Sequence, residues 1–263
     1  MKGYLSILRG SITIGLIYRF GFVFTLVGNM LYMAVAFYLW RSIYQNTATI
    51  HGMTFNETFI YVILGSTVFV LLKTYADWGI SHDIADGTIA IYLTKPIDYQ
   101  LYNLTMGLGS MLTSLAAVTL PTALLMVFVF KVNFVWGPGL LLFPISLVFA
   151  FLISFCFDYV TGLTSFYTES IWGISVTKEI IISVLAGALV PLQFFPDAIQ
   201  KVLLVLPFQA IYYTPLMMVT RPNQDWGTLL SMLAVQMIWT VILFIGSRLF
   251  YNQAIKVLRV AGG

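Results

Sequence analysis

Six stretches of this chain are apolar for long enough to cross a lipid bilayer without a break: residues 20–40, 55–72, 101–130, 140–160, 171–189 and 226–250. A hydrocarbon core about 30 Å thick takes about 20 residues of helix, and lipid offers no partner to an unpaired backbone group. The pattern therefore predicts an all-α membrane protein with six transmembrane helices. Only 9% of the 263 residues are charged and 60% are hydrophobic, whereas soluble domains carry about 25% charged residues. No linker, repeat or low-complexity tract divides the chain, so residues 1–263 read as a single domain. The run at 101–130 is long enough to tilt, and Pro121 within it predicts a kink. The one cysteine, Cys156, sits in an apolar run, which excludes an intrachain disulfide and any CxxC metal site. The N-terminal residues show no cleavable signal pattern.

Orientation follows from the basic residues. With both termini in the cytoplasm, the inner side receives Lys2, Arg9, Arg19, Lys73, Lys95, Lys178, Arg248, Lys256 and Arg259, and the outer side only Arg41, Lys131, Lys201 and Arg221. The positive-inside bias favours that arrangement in a prokaryotic cell membrane. In residues 1–19, Leu5, Leu8, Ile12 and Leu16 recur at helical spacing while Lys2, Ser6, Arg9 and Thr13 share another face, which predicts an interfacial helix. Five of the nine prolines fall in residues 187–222, between apolar pieces too short to cross a bilayer. This predicts an outer re-entrant hairpin before the last span, with a gating role. Trp40, Tyr44, Trp78, Trp136, Trp226 and Tyr251 lie near predicted interfaces, where aromatic rings meet membrane lipids.

The longest polar interruption is residues 73–99, which hold Asp77, Asp83, Asp86 and Asp98 among the ten acidic residues. The peptide DIADGTIAI half-matches the CDP-alcohol phosphatidyltransferase signature through Asp83, Asp86, Gly87 and Ala90. The remaining positions hold Ile91, Gln100, Leu104 and Leu108 instead of an arginine, a glycine and two aspartates. Two carboxylates make a poor site for a pair of divalent ions. His51 and His82 fall on opposite sides of the membrane in this topology and cannot share a metal. No catalytic residue and no metal site is assigned. Glu57, Asp158, Glu169 and Glu179 all lie near span ends, which speaks against a proton or sodium pump. No lysine follows a glycine, so there is no Walker A motif, and ATP chemistry requires another subunit.

The order of parts resembles the permease subunits of ABC-2-type ATP-binding-cassette exporters. The segment DGTIAIYLTKPIDYQLY is similar to the cytoplasmic element of that family through Gly87, Thr88, Leu93, Lys95 and Pro96. The segments SFYTESIWGI and LAGALVPLQFFPDAIQKVLLVLPFQAIYYTP are similar to the outer region of one uncharacterised branch, through Gly187, Ala188, Pro191, Leu192, Phe195, Pro196, Leu206, Pro207, Phe208 and Pro215. The resemblance implies a half-transporter without cofactors of its own, paired with a second copy or a related permease. A dimer of ATP-binding-cassette subunits holding ATP and Mg2+ would dock on a cytoplasmic coupling helix within residues 73–100. Nucleic acid is not among the implied partners.

The residues fit that role on their own terms. Ile80, Ile84, Ile89 and Tyr92 supply apolar contact among the charges of Asp83, Asp86 and Lys95, and Pro96 stops the helix. The expectation is an ATP-driven exporter of unidentified, amphiphilic or drug-like cargo. An ATP-independent secondary carrier or channel is the alternative, and an inverted repeat or a buried charged pair would favour it.

Overall fold

The computed structural model describes residues 2–17, 19–132, 134–168 and 170–257. Glu169 and Arg259, which entered the charge reading, lie outside the described residues. The helices in order are α1 (Lys2–Ile17), α2 (Arg19–Ile43), α3 (Phe55–Leu72), α4 (Ala76–Ala85), α5 (Ile89–Thr94), α6 (Tyr99–Ser114), α7 (Leu120–Phe128), α8 (Pro138–Leu163), α9 (Trp172–Leu185), α10 (Asp197–Leu203), α11 (Tyr213–Thr220) and α12 (Trp226–Ala254). Two short strands, β1 (Thr49–Ile50) and β2 (Met53–Thr54), pair antiparallel. His51 and Gly52 turn between them with φ of 46° and 74°, the left-handed values a two-residue hairpin turn requires.

Short polar residues set several helix starts. Thr54 caps α3 in a reciprocal box with Glu57, whose Oε2 accepts from the Thr54 backbone N–H at 2.7 Å. Asp98 accepts from Leu101 N at 3.0 Å at the start of α6, and Asp225 accepts from Thr228 N at 2.9 Å at the start of α12. The kink expected at Pro121 takes the form of a π-helical turn, Leu115–Thr119, between α6 and α7. Proline has no N–H to complete the preceding turn, and the helix widens there instead of breaking.

α3 is apolar on every face and forms the centre of the bundle; Phe59, Tyr61, Ile63 and Leu71 are almost fully buried. The paired α1–α2 and α6–α7 run in the same direction. Tyr4 accepts from Asp98 N, Ser11 bonds the Met106 carbonyl, Asn29 meets Thr122 and Phe37 meets Phe130. α1 thus lies along α6, so close that a Cβ on Gly109 would come within 2.5 Å of the Ser11 side chain. α8 and α12 are also parallel: Ser146 bonds Gln236 near one end, and Tyr159 packs on Tyr251 near the other.

Parallel neighbours need a return path, and here the structure departs from the sequence expectation. Five helices among the described residues are long and apolar enough to cross a membrane, not six: Phe20–Asn46, Phe55–Ala85, Tyr99–Phe128, Pro138–Phe166 and Trp226–Val257. The run expected to form a fifth span at 171–189 yields only the 14 residues of α9. At about 1.5 Å per residue that is about 21 Å, too short for a bilayer core. Gly187 ends the helix. It adopts φ +73°, and Ala188 N reaches back to Ser183 O at 3.0 Å, a glycine-terminated helix end.

The outer re-entrant hairpin is likewise corrected. Residues 187–222 show no paired strands and no hairpin. They form α10, α11 and two 3-10 turns, Leu192–Phe194 and Pro207–Ala210. Pro191, Pro196 and Pro207 each stand at the start of one piece, so the prolines fragment the helix without folding it into a hairpin.

Candidate functional site

The end of the bundle holding residues 73–99, here called the connector end, is built around α4 and α5. α3 stops at Leu72, and Tyr75 takes a left-handed φ of 55° before α4 begins. That conformation is strained for a tyrosine. α4 lies tightly across α8 at Gly162, where a Cβ would meet Ile80 Cβ at 2.9 Å and Asp77 Cα at 3.0 Å. Gly87, at φ +72°, carries the turn into α5. Ile97 N then bonds Lys95 O at 2.8 Å around Pro96, and the chain enters α6.

The expected contact residues divide into two sets. Ile80 and Ile89 are fully buried in the chain's own core with Tyr99, Phe155, Tyr159 and Leu163, and Ile84 and Tyr92 pack partly against it. Asp83 works internally as well: its carboxylate accepts from the Tyr99 hydroxyl at 2.7 Å and from Thr88 Oγ1 at 3.2 Å. The Tyr92 and Tyr102 hydroxyls lie 3.0 Å apart, and Lys95 Nζ sits 4.9 Å from the centre of the Tyr92 ring. Asp86, Gly87, Leu93, Lys95 and Pro96 are exposed, and so are Trp78, His82 and Ile91. The outward face of the connector is therefore Trp78–His82–Asp86 on and just after α4 and Ile91–Leu93–Lys95 on and just after α5.

Behind that face lies a charged cluster that sequence reasoning missed. Lys178 of α9 donates to Asp158 Oδ1 of α8 at 2.5 Å and to Asp77 Oδ2 of α4 at 2.9 Å. Thr74 Oγ1 donates to Asp158 Oδ2 at 2.6 Å. One residue along α9, Glu179 Oε1 accepts from Lys73 Nζ at 2.8 Å. Both aspartates and Lys178 are largely shielded from solvent, while the Lys73–Glu179 pair is about a third exposed. Burial works against the charged form of Lys178, but Asp158 and Asp77 outweigh it and hold its pKa above the ordinary lysine value. The available signals were three polar residues in otherwise apolar runs: Asp158, and the adjacent Lys178 and Glu179.

A cleft of about 40 Å³ opens at this cluster, beside Phe69 and Tyr212. Next to it an open cavity of about 520 Å³ runs between α2, α3 and α9, with Asn29, Ser66, Ser183 and Leu189 in its walls; Phe69 and Glu179 border both spaces.

The residues expected to form the outer gate are packed into the bundle to different degrees. Gly187 O accepts from the Tyr61 hydroxyl at 2.7 Å. Pro191 and Pro215 are buried, Phe195 and Pro207 half-buried, and Pro196 exposed. Phe208 stacks on Phe157 at 5.5 Å. Gln236 of α12 holds this segment to α8, donating to Ala210 O at 2.7 Å while accepting from Ser146 Oγ at 2.9 Å.

Among the described residues no group of three or more His, Cys, Asp or Glu side chains is placed to hold a metal ion. Of the two aspartates in the phosphatidyltransferase half-pattern, Asp83 is engaged by Tyr99 and Thr88.

Comparison with curated protein sequences finds no match. The profile of the family described as ABC-2 family transporter protein matches residues 30–262. That span takes in the connector, the charged cluster and the fragmented return path, and the chain belongs to this family of multi-pass membrane transport proteins.

Proposed function

We propose that this chain is the permease subunit of an ATP-driven exporter, and that its ATP-binding subunits dock on the outward face of α4 and α5. The observation that carries this reading is the division within the connector. Its inner face is fixed by Ile80, Ile89 and Asp83, while Trp78, Ile91 and Leu93 stay exposed beside Asp86 and Lys95. Apolar groups rimmed by charge, on a firmly seated element, suit a protein groove. ATP and Mg2+ belong to the docking subunits, and a second permease copy or a relative completes the transporter in the cell membrane, with both termini cytoplasmic. Closure of the ATP-binding subunits moves the connectors and rocks the two bundles. The cargo class is amphiphilic, in keeping with the largely apolar walls of the cavity between α2, α3 and α9.

The test is co-purification from native membranes. Asp86→Lys and Ile91→Glu, both on the exposed face, abolish recovery of an ATP-binding subunit while the chain stays in the membrane. Gly87→Pro does the same, because proline cannot take the positive φ found there. Normal partner recovery and transport in all three variants would sink the reading.

One observation favours a secondary carrier: Lys178, Asp158 and Asp77 form a shielded charged group. Its position beside the connector suits a brace better than a mid-membrane ion site. Transport by the purified chain in liposomes, driven by an ion gradient alone, would establish the carrier instead.

A further inference from the structure

We infer that Lys178 and Glu179 are positioning residues that form a tether, through which the connector sets the width of the cavity between α2, α3 and α9. The inference deepens the reading of the connector as a docking element and rests on it for the source of the motion.

Three observations carry it. First, the two ion pairs have opposite polarity and straddle one hinge. Glu179 holds Lys73 and Lys178 holds Asp77, on either side of Tyr75 with its left-handed φ of 55°. Two neighbouring residues of α9 thus grip both flanks of the α3–α4 junction. With the polarities reversed between the pairs, a shift of the helix by one position would set like charges against each other.

Second, α9 packs only lightly, with Ile182 and Leu185 set partly against the core. Ser175 is the one buried residue among its fourteen, and Ile174, Ile180, Ile181 and Val184 are exposed. Its far end is pinned through the backbone: Tyr61 donates to Gly187 O at 2.7 Å, and Tyr213 N to Ala186 O at 3.1 Å. A short helix pinned at one end and gripped by charges near its middle behaves as a lever. Third, the gripped residue is also a wall. Glu179, Ile180 and Ser183 line the 520 Å³ cavity, so a displacement of α4 that carries α9 with it changes that cavity directly.

The reporter is a cysteine at the cavity wall, Ser183→Cys, with Cys156→Ser to remove the buried native thiol. The purified chain in lipid nanodiscs is reacted with a fluorescent maleimide and the rate of labelling followed. Lys73→Glu and Glu179→Lys, made singly, are expected to raise that rate by about fivefold or more, the lower end of ordinary coupling between sites. The exchange Lys73→Glu with Glu179→Lys restores it to near the starting rate. A capping variant at the opposite end of the bundle, Glu57→Ala, leaves it unchanged, which separates a tether from a general loosening.

Unchanged labelling in both single variants, or labelling equally fast in the exchanged pair, would overturn the inference. Should either charge reversal fail to give a monodisperse protein, Lys73→Gln carries the same expectation and leaves the Lys178 cluster intact. The labelling needs no ATP-binding subunit. Coupled labelling without a co-purifying partner would remove the docking reading and keep the tether; the converse result would remove the tether alone.

Discussion

The two ends of this bundle are fastened by different chemistry. At the connector end, shielded charges and a tyrosine cluster join α4, α6, α8, α9 and α12. At the opposite end, caps, a two-residue turn and backbone contacts serve. Thr54 and Glu57 cap α3, Gly139 N bonds Pro222 O at 2.9 Å, and Arg221 reaches both Glu57 and the Gly52 carbonyl. Fastenings of the second kind, which include one partly exposed ion pair, Arg221–Glu57, fix a chain in one place. Shielded charges are dearer to assemble, since taking ions out of water must be offset by near-ideal geometry. A helix held that way can, however, exchange one set of partners for another. In the tether proposal the connector end is the adjustable end, and the opposite end the fixed one.

The sharpest way to break that contrast is Lys178→Met. It leaves Asp77 and Asp158 facing each other without a cation, and the expected loss is about 3–5 kcal/mol of stability, read as a large fall in the midpoint of thermal unfolding in detergent. Adding Asp77→Asn and Asp158→Asn to Lys178→Met recovers much of it. A loss no larger than that of a surface pair would show that the cluster does not fasten the helices. Next is Gly162→Leu, which drives a side chain into Ile80 where only 2.9 Å separates a bare Cβ from it. It is expected to cost about 1–3 kcal/mol and to displace α4, seen as lost co-purification of the docking subunit.

At the fixed end, Glu57→Ala removes one half of the capping box and an Arg221 partner, for about 1 kcal/mol, with no effect on partner recovery. The smallest effect belongs to Asp98. Burial pushes its pKa up, but the Arg248 guanidinium and the Leu101 N–H outweigh that and hold it below the usual carboxylate range. A group lowered in the folded state adds stability above its unfolded pKa of about 3.9 and loses it as pH falls through the folded value. Asp98→Asn is therefore less stable than the parent at neutral pH, by under about 1 kcal/mol, and the difference closes below about pH 4. A gap persisting into stronger acid would assign the effect to something other than the carboxylate.

Five spans were legible in the sequence, because run length is a local signal, and three of them also start at a capping polar residue. Thr54, Asp98 and Asp225 each stand one residue before a helix. The missing span was not legible. Apart from Lys178 and Glu179 the run stays largely apolar past Gly187, and the left-handed backbone there ends α9. The charged cluster was not legible either. Asp77 and Lys178 are 101 residues apart, and Thr74 and Asp158 84 apart, so their meeting depends on how α4 crosses α8. The isoleucines of the connector were visible as an apolar face. A pattern of that kind says that a face is covered, and leaves open whether a partner covers it or the chain itself, as at Ile80 and Ile89.

The brevity of α9 bears on how the chain enters its membrane in the first place. A 14-residue segment carrying a lysine and a glutamate has little reason to leave the insertion machinery for lipid by itself. Its welcome is prepared by what emerged earlier: Lys73, Asp77 and Asp158 are all synthesised before Lys178 and Glu179, and they offer those side chains counter-charges on arrival. Order along the chain thus places the counter-charges ahead of the short helix that needs them.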